Sequence, residues 1–299
     1  MTRSTLTVHE VEVIHGKLIH LAQLAPPMKL MMGNLVQNLR DFLNQLYEIP
    51  EGDGKRNKCL FQVSSALTED LRNFVALLRE TFKSPLPIVE PECSPGKWAL
   101  EAFTDISGHV MANPSIGIYV PSQSLEDPLV ASIAFPKCFL EGKDNSGKNV
   151  YCKTTALEAL GILTTLATDP FRFIGREVSF VNDNISTVIA FKKGYSRDQW
   201  TTCIVKASRV VAAKLCADIY VTWEPRRSSK GSKIADNLTH NILEDLSNEE
   251  VQTYLKMGRV CFPKPILEWM DRPGPDRTLG ARVVCWLFEE YPALNIIIQ

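Results

Sequence analysis

The sequence predicts an α/β chain, in which a small helical unit precedes a mixed five-stranded sheet with helices on its faces. Three observations lead there. Apolar residues recur at three to four residue spacing through much of the first 82 positions. Four prolines then crowd KSPLPIVEPECSPG, and from Lys97 three short runs of strand formers precede an alternation of helical and extended patterns.

Taken in order, Thr7 to Ala25 reads as a helix, with Val8, Val11, Leu18, Leu21 and Ala25 on one stripe and Thr7 with Glu10 as a capping box. Pro26 and Pro27 stop it. A second helix is expected from about Lys29 to Leu46, then a turn at EGDGKRNK, then a third helix from Thr68 to Phe82. The expected organisation is a helical unit over 1–84, a proline-rich linker over 85–96, the sheet domain over 97–246 and a tail over 247–299.

Within the sheet domain, Trp98–Asp105, Ser115–Val120 and Leu129–Phe135 read as a three-strand meander. Thr154–Thr168 reads as a helix, Val178–Asp183 as a strand, Ile185–Lys193 and Arg197–Cys216 as helices, Ala217–Trp223 as a strand and Ser232–Leu246 as the last helix. That order implies a sheet antiparallel at one side and extended at the other by right-handed parallel crossovers.

The chain has 299 residues, 45% of them hydrophobic, which allows a full core. A net charge of -1 excludes a uniformly basic surface, so a polyanionic partner would have to meet a segregated basic face. Eight cysteines lie scattered with no CxxC pair, which points to thiols in a reducing compartment rather than to a zinc site or a disulfide framework. There is no apolar signal core at MTRSTLTVHEVEV and no apolar run of membrane-spanning length, so the expectation is a soluble intracellular protein of cytoplasm or nucleus that has no membrane partner.

Four acidic residues fall on four of these elements: Asp105 ends a strand, Glu158 lies early in a helix, Asp183 closes a strand and Asp236 opens a helix. Gathered like charges raise one another's pKa and cost stability, whereas they suit divalent cations. Each also has a plainer reading: Asp105 as a turn residue, Glu158 as the second half of a capping box with Thr155, Asp183 as a strand-end Asx turn, Asp236 as a complement to a helix dipole.

FTDIS, CKTTALEALGIL, FVNDN and the tract from YVTWEPR into IADNLTHN resemble the ribonuclease H domain of retroelement reverse transcriptases, of the type carried by tyrosine-recombinase retrotransposons and pararetrovirus-like elements. EVEVIHGKLIHLAQLAPP is similar, more weakly, to the segment after the polymerase palm of those enzymes, and the tail is similar to theirs. No Tyr or Phe followed one residue later by Asp-Asp occurs, so the polymerase's own metal motif is missing. The resemblance implies a ribonuclease H-like fold and cleavage of the RNA strand of an RNA–DNA hybrid by two Mg2+ ions, for which Mn2+ can substitute. Asp105 would bridge the ions, Glu158 and Asp183 would hold one, and Asp236 the other, with a separate polymerase subunit as a possible partner. The competing reading is a binding module for nucleic acid or protein that kept the fold without the chemistry. A third is an exonuclease or integrase-like member of the same superfamily, and the order Asp, Glu, Asp, Asp speaks against an integrase.

Arg226, Arg227, Lys230 and Lys233 precede or open the Asp236 helix and are expected to rim the acids, either as phosphate contacts or as a solvated charged loop. Asn182, Asn184, Ser107 and Ser186 are candidates for reading 2'-hydroxyls. No histidine lies between Glu224 and Ala235, where many relatives outside this subgroup carry one, and the other histidines form no second site. In the tail, Trp269, Trp286 and Phe288 are expected to dock on the main domain or on a partner. Oligomeric state is not legible.

Overall fold

The computed structural model describes residues 5–24, 59–63, 99–107, 114–122, 126–144, 147–257 and 260–298, together with 39, 41–43, 45, 46, 68, 71, 72 and 75. The chain divides into two compact units, Met1–Ser94 and Pro95–Gln299.

In the first unit, β1 (Thr5–Thr7) leads directly into α1 (Val8–Leu24). The helix is capped as its sequence predicts. The Thr7 amide donates to Glu10 Oε2 at 2.9 Å and the Glu10 amide to Thr7 Oγ1 at 3.3 Å, which satisfies two of the amides that a helix start leaves free. Val11 and Leu18 are buried with Leu39, Leu43 and Leu46, and Phe42 meets the edge of the Phe61 ring. The unit is not wholly helical, which corrects the expectation. Strand β2 (Leu60–Gln62) pairs antiparallel with β1, Thr5 opposite Gln62. Three residues are too few to display the two-residue alternation that marks a strand, so the pair is fixed by its partner rather than by a local pattern. The described parts of the second and third expected helices are helical; their other residues and the linker 85–96 lie outside the described residues.

The second unit is built on strands β3 (Ala99–Ile106), β4 (Ser115–Val120), β5 (Leu129–Ala134), β6 (Glu177–Asn182) and β7 (Asp218–Trp223). They lie in the order β5-β4-β3-β6-β7. The first three are antiparallel, and β3, β6 and β7 run parallel, which is the mixed ribonuclease H-like sheet expected from the sequence. Helices α2 (Lys137–Glu141), α3 (Thr154–Thr168), α4 (Ile185–Lys193) and α5 (Gln199–Lys214) fall between strands, and α6 (Lys230–Thr239) follows the last one.

Alternation along each strand assigns the two faces. Leu100, Ala102, Ile116, Ile118 and Phe180 share one core with Leu160, Leu163 and Val211 of α3 and α5. Phe103, Tyr119, Val130 and Val181, offset by one residue, pack against Ile234, Ala235 and Leu238 of α6. Helix α6 is shorter than the expected Ser232–Leu246: His240 caps it, and Asn241 turns left-handed at φ 58°, a conformation that ends a helix and that Asn tolerates better than most side chains.

Residues 247–299 belong to this same unit. They form α7 (Asn248–Met257), α8 (Lys264–Asp271), α9 (Leu279–Glu290) and α10 (Leu294–Ile297). Trp269 of α8 is buried, with its ring 5.6 Å from that of Phe139 and 5.5 Å from that of Trp200. Helix α9 approaches α5 at Gly280, where an added Cβ would lie 2.9 Å from the Ala207 Cα. Trp286 and Phe288 pack against the edge of this core. Among the described residues, no helix is long and apolar enough to cross a membrane.

Candidate metal centre

The ends of the parallel strands β3 and β6 bring the acids together. Asp105 is the penultimate residue of β3 and stands opposite Gly117 of β4, so it is a strand residue and not part of a turn. Glu158 lies in the second turn of α3, buried, and does not cap that helix. Asp183 follows the last residue of β6, where the Asx turn is made by Asn182, whose Oδ1 accepts from the Asn184 amide at 2.9 Å. Carboxylate oxygens of Asp105, Glu158 and Asp183 all lie within 4.8 Å of one another.

Asp236 projects from α6 beside Asp105. It is not a helix-start residue: Ser229 caps α6, and its side chain and that of Ser232 bond reciprocally to the backbone. Gly117 makes the approach of α6 possible, since a Cβ there would sit 2.0 Å from the carbonyl oxygen of Ala235, the residue before Asp236. A glycine inside an apolar strand is a sequence sign of such close approach, and SIGIYV carries that sign.

The electrostatics follow from burial. Asp105, only 7% exposed, has its carboxyl pushed up to about 7, chiefly by desolvation and further by Asp183 and Asp236, with Arg226 opposing. Glu158 lies well above the usual carboxylate range, because it is desolvated and faces Asp105. The amide of Asn182 offsets part of that, donating to Glu158 Oε2 at 2.8 Å. At Asp236 burial would also raise the carboxyl, but hydrogen bonds led by that from Arg226 hold it below its ordinary value.

Two arginines close on Asp236. Arg226 Nε donates to Asp236 Oδ1 at 2.9 Å, and its Nη2 donates to the same oxygen and reaches Asp105 Oδ2 at 3.4 Å. Arg227 Nη1 donates to Asp236 Oδ2 at 2.6 Å. Arg227 takes φ 58°, a left-handed backbone that a non-glycine residue adopts at some cost. These two, with Asp105, Asn182, Asp183 and Glu224, line one cleft.

The remaining expected residues divide. Lys233 pairs with Asp245 at 2.7 Å, and Lys230 is exposed at the first position of α6, with its charge beside Glu250. Ser107 does not face the cleft. It is buried, and its hydroxyl accepts the Ser115 amide at 2.7 Å, which joins the ends of β3 and β4. Asn182 lines the cleft but is buried, with its side chain bonded to Glu158 and to the Asn184 amide. Asn184 caps α4 by accepting the Thr187 amide at 3.1 Å, and Ser186 is exposed in the first turn of that helix. Sequence reasoning missed Glu224, which accepts from the Ser229 hydroxyl at 3.0 Å, and Trp223, whose indole donates to the Asp183 carbonyl at 3.0 Å. Both lie in the YVTWEPR tract, which marked the strand and the loop after it but gave neither side chain a role.

Three buried or half-buried carboxylates at this separation form an all-oxygen donor set, which suits a hard divalent cation such as Mg2+ or Mn2+. No protein-family model matches the chain, and no curated protein matches it. Among solved structures it is similar to ribonuclease H1 from the halophilic archaeon Halobacterium salinarum NRC-1, at 14% identity over 49% of this chain and 98% of that one, with a TM-score of 0.32.

Proposed function

We propose that this chain is a metal-dependent endoribonuclease that cleaves the RNA strand of RNA–DNA hybrids and derives from a retroelement reverse transcriptase. The observation that carries the reading is the convergence of Asp105, Glu158 and Asp183 at the ends of two adjacent parallel strands, with Asp236 beside them on α6. The four acidic motifs stand in the sequence order of that family, on the elements where its members carry them.

Asp105, Glu158 and Asp183 would hold Mg2+, or Mn2+ in its place, and the cation supplies an activated water and a Lewis acid for a phosphodiester. Asn182 keeps Glu158 turned toward its neighbours. The guanidinium groups of Arg226 and Arg227 are about half exposed beside the acids, which supports a role for them in meeting phosphate oxygens of a bound strand. Water adds to phosphorus, the bond to the 3'-oxygen breaks, and a proton returns to that oxygen, leaving 5'-phosphate and 3'-hydroxyl ends.

One observation favours the binding module instead: Arg226 and Arg227 donate to both carboxylate oxygens of Asp236. The two readings part in one assay. Purified protein is incubated with end-labelled RNA–DNA hybrid, RNA duplex and DNA duplex, with Mg2+ or with chelator. Cleavage confined to hybrid and abolished by chelator supports the enzyme; binding without cleavage supports the module.

A further inference from the structure

We infer that the guanidinium of Arg226 holds the place of a second cation between Asp105 and Asp236, so that the resting site takes one divalent ion rather than two. The inference rests on the metal-dependent reading above and concerns how this chain's own residues divide the site.

The donors are unevenly free. Asp236 Oδ1 accepts two N–H groups from Arg226, and Oδ2 accepts one from Arg227 at 2.6 Å. A carboxylate oxygen offers about two acceptor directions, so Oδ1 is saturated and any ion approaching Asp236 must displace a guanidinium. Arg226 also spans to Asp105 Oδ2 at 3.4 Å, the same pair of acids that a second ion would have to join. Carboxylate oxygens of Asp105, Glu158 and Asp183 lie within 4.8 Å of one another, and of these three acids only Asp105 is reached by a hydrogen bond from Arg226.

Charge points the same way. Once a cation has displaced the protons that burial favours on Asp105 and Glu158, the four carboxylates carry a charge of -4, and two arginines, which do not deprotonate, return +2. One divalent ion completes neutrality; two would leave the site at +2. Solvent exposure adds to this, since the side chains of Asp105 and Asp236 are 10% and 4% exposed while that of Arg226 is 54% exposed. Arg226 therefore sits as an outer cover on buried acids and can leave without opening the core.

The test counts ions on the full chain, stripped of metal and titrated with Mn2+ at pH 8. Electron paramagnetic resonance reports free ion and calorimetry reports stoichiometry. One ion per chain is expected for the unmutated protein and two for Arg226→Gln, the second bound at least about tenfold more tightly than any second ion in the unmutated protein. Arg226→Lys, a point charge without the fork, is expected to fall between them. Circular dichroism checks that each variant folds. Should Arg226→Gln fail to fold, Asp236→Asn decides: retention of one ion supports the assignment, and loss of an ion from a two-ion site overturns it. Two ions of similar affinity in the unmutated protein would overturn the role of Arg226 and leave the nuclease reading intact. No bound ion at all would overturn both.

Discussion

The side-chain amide of Asn182 donates a 2.8 Å hydrogen bond to Glu158, tying the end of β6 to the second turn of α3. The same side chain accepts the Asn184 amide, so one buried residue sets both the Glu158 carboxylate and the turn that carries Asp183. Asn182→Ala is expected to cost about 1–3 kcal/mol in urea denaturation, the range for leaving a buried polar group unsatisfied, and to weaken divalent-ion binding by about 10- to 100-fold. Unchanged ion affinity would show that Glu158 needs no such partner.

Gly117 sets the distance between β4 and α6. Gly117→Ala places a methyl 2.0 Å from the Ala235 carbonyl, an overlap that only a shift of helix or strand relieves. The expected result is destabilisation of about 1–3 kcal/mol and a greater loss of hybrid cleavage than of hybrid binding, because the shift moves Asp236 away from Asp105. Full activity with native stability would mean that α6 tolerates displacement without consequence.

Proton binding predicts a pH dependence with a definite sign. Asp105 titrates near 7 in the folded chain against an ordinary 3.8, and Glu158 is also raised. Between those values the folded state holds protons that the unfolded state has released, so stability falls as pH rises, by up to about 1.4 kcal/mol per pH unit per group. Asp236 is shifted downward and loses its contribution only in more acid solution, outside this window. Metal-free protein should therefore show a falling urea midpoint from pH 5 to pH 8, and millimolar Mg2+ should restore most of the loss above pH 7. A midpoint flat in pH, with or without Mg2+, would contradict the buried acidic cluster.

Most of the second unit was legible because its elements are apolar runs of strand or helix length set off by Gly, Pro and polar turns, even where, as in Ser115–Val120 and Thr154–Thr168, they are buried almost throughout. Ser115–Val120, Thr154–Thr168 and Ile185–Lys193 appear with the boundaries their patterns predict. The end of α6 was not, since the apolar pattern runs on past Asn241 and only its left-handed backbone breaks the helix. The β1–β2 pair was hidden for a different reason: a three-residue strand carries no period. Within the site, the elements bearing the four acids were readable from residue type and order, but the arginine contacts were not. The loop holding Arg226 and Arg227 has no periodicity, and its direction depends on the backbone of Arg227 at φ 58°. The buried bonds of Ser107 and Asn182 were not legible for a related reason, because a polar side chain beside an acid reads the same whether it faces solvent or the backbone.

The account's central claim is tested most directly by cleavage of a hybrid whose RNA strand is end-labelled, with unmutated protein and Asp183→Asn side by side in Mg2+. The account predicts RNA fragments with 3'-hydroxyl and 5'-phosphate ends from the unmutated chain and an intact DNA strand. For Asp183→Asn it predicts cutting reduced by at least about a thousandfold, with hybrid affinity within about threefold, since one lost ligand removes the ion but leaves the Arg226 and Arg227 contacts in place. Binding of hybrid with no cleavage in Mg2+ or Mn2+ by the unmutated chain, or equal cleavage by both proteins, would contradict it.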